Sequence, residues 1–190
     1  MITNNYLLFK KHMNTDFSYG TVNSDSDNLY TVFSDIHAIE NSWESSTQLW
    51  IYSKLASWTS NYTSSSLSII NSNANIYRVD LVKPSTATTF DVTDYDIANQ
   101  ISNLTMTNVT NNVTNADGKV TNTVTATFSN TNSSEITINS VGLYHTVYFA
   151  KTLSNMATQS NKFLMAEIPL DTPLTVPANT GFTITVLWED

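Results

Sequence analysis

The sequence predicts a mainly β fold, an antiparallel β-sandwich of jelly-roll or Ig-like type with one or two short helices. Only 13% of the 190 residues are charged, and the abundance of Asn, Ser and β-branched Thr, Val and Ile favours strands over helices. In several segments apolar and polar residues alternate, as they do in a strand with one buried face. Short stretches rich in Asn, Asp, Pro or Gly separate these segments and predict turns.

The clearest strand lies near the C-terminus, over residues 182–188. Its apolar face carries Phe182, Ile184, Val186 and Trp188, and its polar face carries Thr183 and Thr185. Residues 177–181 predict the preceding turn, with Gly181 free to take a positive φ. Pro173 and Pro177 restrict residues 174–176 to a short strand at the edge of a sheet.

Residues 103–141 predict a β-meander. A strand over 104–110 and one over 119–129 flank a hairpin turn at 115–118, and a further strand begins at Ile136. One face of the 119–129 strand is a threonine ladder, which either faces solvent or meets a neighbouring subunit. Its members are Thr121, Thr123, Thr125 and Thr127. Residues 145–161 predict a long loop and therefore a place for a partner contact.

The N-terminal half carries weaker patterns. Residues 4–13 predict a short helix that is capped by Asn4 or Asn5 and docks through its apolar side onto this chain or another subunit. Its apolar side carries Tyr6, Phe9 and Met13. Short strands are expected over 29–33, 67–70 and 75–83, the last ended by Pro84, and over 48–53, where a helix is the alternative.

The polar stretch 61–66 indicates a boundary. It separates a region 1–60, suited to anchoring or oligomerisation, from a sandwich domain 61–190, unless residues 1–190 form one continuous domain.

Three carboxylates, those of Asp91, Asp94 and Asp96, lie close together in sequence and suggest two structures. One is a calcium loop, but the glycine and the bidentate Glu of such a loop are missing. The other is a helix over 93–101, capped by Thr93, with the acidic residues in its first turn. We expect the helix.

Composition argues against several function classes. The net charge of −8 disfavours nucleic acid as a partner, and the chain has no cysteine and no stretch long enough to span a membrane. The three histidines have no metal-ligand spacing, and the four glycines form no phosphate-binding loop. We therefore predict a soluble protein that is not an enzyme, with no cofactor and no metal ion.

Two C-terminal motifs resemble those of a group of virion proteins from tailed bacteriophages of the gut and their prophages. They are EITINSVGLY at 135–144 and KFLMAEIPLDTPLTVPANTGFTITV at 162–186. Residues 93–97 and 1–6 resemble further segments of that group, so about half of the chain is covered. Glu167 stands where the group usually has Arg. The resemblance implies a fibre, appendage or capsid-surface component located in the virion.

From this resemblance we expect a non-catalytic virion structural protein in a head or tail fibre, a collar or a capsid-surface decoration. Its partners would be itself, most simply as a trimer, and other virion proteins. The alternative is a carbohydrate-binding module for host recognition, and a glycan hydrolase is the third hypothesis. Aromatic residues are candidate partner or glycan contacts, although burial in the core or an interface is the commoner role of such residues. They are Trp43, Trp50, Trp58, Tyr148 and Phe149.

Overall fold

The computed structural model of the chain describes residues 1–14, 21–25, 28–41, 48–51, 77–150 and 158–189. These ranges contain one helix and ten strands, and all strand pairing is antiparallel. The elements are α1 (Asn4–Asn14), β1 (Thr21–Asp25), β2 (Asn28–His37), β3 (Glu40–Asn41), β4 (Gln48–Ile51), β5 (Tyr77–Ser85), β6 (Leu104–Ala116), β7 (Lys119–Asn130), β8 (Ile136–Ala150), β9 (Thr158–Val176) and β10 (Gly181–Glu189). The helix is too short and too polar to cross a membrane.

Two sheets pack face to face and form an antiparallel β-sandwich, which confirms the predicted fold class. The four-stranded sheet has the order β3-β9-β8-β5, and the three-stranded sheet has the order β10-β7-β6. Their facing sides, called the inner faces here, share one hydrophobic core. Its buried residues are Val79, Val82, Val124, Ala126, Phe128, Ile138, Val141, Leu143, Met165, Ala166, Val176 and Ile184. Strands β1, β2 and β4 form a further small sheet.

The predicted strands over 119–129 and 182–188 are confirmed. β10 pairs with β7 without a register shift, and its residues 182, 184, 186 and 188 turn toward the core while Thr183 and Thr185 are exposed. The turn between β6 and β7 places Asp117 (φ 53°) and Gly118 (φ 76°) in the left-handed region, as a two-residue hairpin requires. In the turn before β10 the left-handed residue is Asn179 (φ 54°), whereas Gly181 already belongs to the strand.

Strand β5 does not end at Pro84 as predicted. It continues to Ser85, because β5 lies at the edge of its sheet, where a missing N–H is tolerated. A bulge at Asp80 shifts the alternation, so that Val79 and Val82 both reach the core. The Asn111 side chain of β6 joins the two sheets at this bulge. It donates to the Val79 carbonyl oxygen at 2.6 Å and accepts from the Val79 N–H at 3.2 Å.

Two predictions about β8 and β9 are wrong. Residues 145–150 and 158–161 are not loop, because their β-branched and aromatic residues extend the β8–β9 hairpin in register. Residues 174–176 are not a separate short strand, since they end the continuous strand β9. The register passes from Pro169 opposite Ser140 to Leu174 opposite Ile138, so residues 170–173 form a bulge that accommodates Pro173.

The predicted helix over 93–101 is also wrong, because this segment consists of turns and bends. Thr93 caps no helix, since its N–H and hydroxyl both donate to the Asp91 carboxylate, at 2.9 and 2.8 Å. The Asp91 N–H in turn donates to Asp94 at 3.2 Å. Such local side-chain bonds compete with helical hydrogen bonding. The loop instead lays Ile97 against Tyr144 and Leu164 on the outer face of the four-stranded sheet.

Helix α1 agrees with the prediction in its extent and in docking on this chain, one of the two alternatives, but its cap differs from the predicted ones. The cap is Thr3, whose Oγ accepts from the Tyr6 N–H at 3.4 Å and whose carbonyl oxygen accepts from the Leu7 N–H at 3.2 Å. Neither Asn4 nor Asn5 is the cap, because both already belong to the helix. The helix docks on its own chain, through ring contacts with β8 and β9.

Several predictions fall on residues that the structure does not describe. The strand at 67–70 and the boundary at 61–66 lie outside the described residues. Strand β4 confirms a strand at 48–51 rather than the alternative helix, and residues 52–58 again lie outside the described ranges.

Gly142→Ala should destabilise the fold by about 1 to 3 kcal/mol, because the new methyl group overpacks a filled site. A Cβ at Gly142 would lie 3.0 Å from Tyr144 Cε2 and 3.1 Å from Ile97 Cβ. Urea denaturation measures the loss. Gly181→Ala is the control, since its Cβ would meet only the Phe128 carbonyl oxygen at 3.5 Å, an ordinary contact. Equal losses for the two variants would contradict the packing described for Gly142.

Candidate functional site

The outer face of the three-stranded sheet carries a broad array of hydroxyl and amide side chains, called the threonine face here. The register places Thr127 between Asn108 and Thr183, and Thr125 between Thr110 and Thr185. The array thus continues the predicted ladder onto both neighbouring strands. Its members are Asn108, Thr110, Asn112, Thr114, Thr121, Thr123, Thr125, Thr127, Thr183 and Thr185.

The hydroxyls of the threonine face contact one another across the strands. The Oγ atoms of Thr125 and Thr185 are 3.4 Å apart, and those of Thr127 and Thr183 are also 3.4 Å apart. The β6 members are exposed and the β7 members are half-buried. Charge appears only at one end, where Lys119 and Glu189 form an ion pair of 2.9 Å. Such a neutral, rigid surface is suited to recognition and contains no group that could transfer a proton near neutral pH.

A second group of polar residues lies on the outer face of the four-stranded sheet. Glu167 is 1% exposed, sits opposite Gly142, and both of its carboxylate oxygens lack a hydrogen-bond partner among the described residues. Burial raises the pKa of Glu167 to about 7, and the nearby Asp94 and Asp91 carboxylates add to the rise. The Met1 amino group opposes it.

The three carboxylates of the 91–96 stretch do not converge on one point. Hydrogen bonds from Thr93 hold the pKa of Asp91 below its usual value. Asp96 turns elsewhere and accepts from Lys83 Nζ at 3.0 and 3.1 Å. In the described parts of the chain no three His, Cys, Asp or Glu side chains are placed to bind a metal ion together.

Asp96 belongs to a network that fastens the 91–99 loop to the sheet. The Tyr144 hydroxyl donates to Asp96 and accepts from the Ile97 N–H at 3.0 Å. Lys83 Nζ lies 4.7 Å from the centre of the Tyr144 ring. Burial, followed by the hydrogen bond to Asp96, raises the pKa of Tyr144 well above its ordinary value. The tyrosine therefore stays protonated and serves as a structural donor.

His145 lies on the inner face of the four-stranded sheet, beneath helix α1. Its ring stacks on Phe163, with centroids 5.6 Å apart, and on Tyr6, with centroids 5.8 Å apart. Burial lowers the pKa of His145 to about 4, and the Asp80 carboxylate partly opposes the effect. At neutral pH the imidazole is uncharged. It acts as part of an aromatic cluster that attaches the helix.

The aromatic candidates from the sequence lie partly or wholly outside the description. Trp43 and Trp58 lie outside them. Trp50 lies in β4 opposite Val32, and Tyr148 and Phe149 lie in β8; the side chains of these three are outside the description. Sequence reasoning did not single out Tyr144, Glu167 or His145 for a site. Only Glu167 had a visible signal, since it interrupts an apolar run.

Comparison with known proteins gives no relative from which to assign a site. No protein-family model, no curated protein and no solved structure matches this chain. The threonine face and the buried ionisable groups are therefore interpreted from their own geometry.

The two buried ionisable groups should give opposite pH dependences of stability. Glu167 has a pKa of about 7 in the folded chain against 4.5 in the unfolded chain, so stability falls as pH rises from 4.5 to 7. His145 has a pKa of about 4 in the folded chain against 6.5 in the unfolded chain, so stability rises as pH rises from 4 to 6.5. Between pH 4.5 and pH 6.5 the two opposite changes in stability largely cancel.

A variant that removes one of the two groups should show the pH dependence of stability that the other group causes. In Glu167→Gln the free energy of unfolding should rise with pH up to about 6.5 and exceed that of the wild type at pH 8 by at most about 3 kcal/mol. In His145→Phe, which keeps a ring for stacking, it should fall between pH 4.5 and 7. Urea denaturation across pH 4 to 8 measures both. Parallel curves for the two variants would refute the assignment.

Proposed function

We propose that this protein is a non-catalytic structural component of a tailed-bacteriophage virion and acts by oligomeric assembly. Its place would be a head or tail fibre, a collar or a capsid-surface decoration. The observation that carries the assembly part is the exposed, uncharged threonine face on a sandwich with a continuous core. The virion part rests on the C-terminal resemblance.

The threonine face has the physical properties of a protein contact surface. The cores of protein interfaces are depleted of charged residues, and burying a charge without a partner is costly. The chain as a whole has a net charge of −8, so two copies repel each other, and a contact through a neutral surface adds no further like charges at close range. β-branched threonines also lose little side-chain freedom on association, because their χ1 is already restricted.

The proposed partners are further copies of the chain and other virion proteins. A trimer suits a fibre or spike. In this arrangement the N-terminal region would attach to the particle and the C-terminal sandwich would be displayed, and the protein would work by surface complementarity without turnover.

Light scattering on a sizing column should give the mass of an oligomer for the purified chain. Thr125→Lys should shift that mass toward the monomer, because each copy would then bring a positive charge into the contact. Thr175→Lys is the control, since Thr175 is an exposed threonine of the other sheet. Both variants should unfold at the wild-type urea concentration. A wild-type monomer at every concentration would contradict the proposal.

A carbohydrate-binding module is the second candidate, and one exposed aromatic residue favours it. Tyr95 is 53% exposed, and its ring lies 4.2 Å from that of His37 in a stacked arrangement that fixes its orientation. A fixed aromatic ring is a common platform for a sugar. If this function holds, a glycan array should show binding that Tyr95→Ala or Trp50→Ala abolishes while folding is retained. Absent or unchanged binding would remove this candidate.

A further inference from the structure

Strand edges in the sandwich differ in how well they are protected. An unprotected edge presents free backbone N–H and C=O groups to any other strand, and proteins block such edges with prolines, charges, bulges or covering segments. The β5 edge has a bulge at Asp80, a proline at 84 and the Asn111 amide bound to Val79. The β6 edge has a bulge at Thr107.

The β9 edge is covered over much of its length. Ile2 bridges to Ala166, and the Thr3 N–H donates to the Met165 carbonyl oxygen at 3.0 Å. β3 pairs with residues 161–162 of β9. Toward its C-terminal end β9 carries Pro169, Pro173 and the bulge at 170–173. This edge cannot accept a long additional strand.

The outer edge of β10 has none of these devices along residues 181–188. β10 pairs with β7 over nine residues in continuous register, and no other strand among the described residues pairs with it. It contains no proline, lysine or arginine, and Glu189 is its single charged residue. Leu187, which points to the same face of the sheet as Thr183 and Thr185, is 64% exposed. β10 is therefore an edge of the sandwich that is ready to accept a strand along residues 181–188.

We propose that β10 pairs antiparallel with β10 of a second copy, across a two-fold axis that passes through Thr185 perpendicular to the sheet. The two three-stranded sheets then form one six-stranded sheet, and the two threonine faces lie side by side on one surface. This inference specifies one contact of the proposed assembly. It rests on that proposed function only in taking the chain to associate with itself.

The sequence of β10 is complementary to itself in this register. On the core side Phe182 meets Trp188 of the second copy, and Ile184 meets Val186, which are aromatic and β-branched pairs of the kind that stabilise sheets. On the threonine face Thr185 meets Thr185 of the second copy. Thr183 meets the exposed Leu187, whose side chain thereby gains a cross-strand neighbour.

Other pairings are less suitable. Moving the two-fold axis to a point between two residues would set threonines opposite core residues, which a regular antiparallel ladder does not permit, because residues opposite each other point to the same face. Moving it to a neighbouring residue keeps the faces but shortens the overlap of the nine-residue strands. The register centred on Thr185 also sets Glu189 opposite Gly181, so that no like charges face each other.

The chain has no cysteine, so a single introduced thiol reports on this contact without interference. Residues opposite each other in antiparallel strands have Cα atoms about 4.5 to 5.5 Å apart, within the range that a disulfide spans. Thr185→Cys should therefore form a covalent dimer under mild oxidation, seen on a non-reducing gel. Thr183→Cys is the control, because its two copies would be offset by four residues, about 13 Å along the strand.

Thr185→Cys should cross-link at least tenfold faster than Thr183→Cys, and 6 M urea should abolish the difference. Equal rates would overturn the edge contact. If the wild type is an oligomer by light scattering and the rates are equal, the edge contact fails while proposed assembly through the threonine face stands.

The mass of the wild type separates the remaining outcomes. The edge contact alone gives a dimer, and together with a three-fold contact it gives a hexamer. A stable trimer with no preferential cross-linking overturns the edge contact only. A wild-type chain that remains monomeric overturns both proposals. A dimer that cross-links through residue 185 but does not associate with phage particles supports the contact and removes the virion function.

Discussion

The pairing of β8 with β9 is the interaction on which the rest of the fold depends. The pairing of this hairpin extends from Ile136–Val176 at one end to Ala150–Thr158 at the other, with two register shifts between them, and the hairpin has a core on each face. Its inner face packs against the three-stranded sheet, and its outer face is covered by the loop that carries Ile97. β5 and β3 pair with its two edges, and helix α1 packs on its far end. Weakening the hairpin would remove the support of every one of these elements.

The connections between strands make the two sheets interdependent. The β6–β7 hairpin of one sheet is inserted in sequence between β5 and β8, which pair in the other sheet, and the β8–β9 hairpin is inserted between β7 and β10. The N-terminal residues also pair with β9, more than 160 positions away, as the bond from Glu167 N–H to the Met1 carbonyl oxygen illustrates. Most stabilising contacts are therefore non-local, which favours slow, cooperative folding.

Alternation predicted the strands well wherever it was unbroken, as in β7 and β10, because the two-residue period follows directly from strand geometry. It failed at the Asp80 bulge, which only the pairing with β8 fixes. The stretch after Asp91 has the spacing of a capped helix, yet its side chains form local hydrogen bonds instead. Both structures satisfy the same sequence rule, and only tertiary contacts, such as the Tyr144 bond to Ile97, distinguish them.

The same limit applies to the candidate site. The threonine ladder of β7 could be predicted from one strand, whereas its extension over β6 and β10 depends on register. The raised pKa of Glu167 arises from its burial and from the Asp94 and Asp91 carboxylates, which are distant in sequence and approach Glu167 only in the fold. The ionisable groups with the largest shifts, Glu167, Tyr144 and His145, all lie in the four-stranded sheet. The three-stranded sheet keeps an almost charge-free outer face, so a change of pH acts on the stability of the sandwich while the chemistry of its threonine face stays constant.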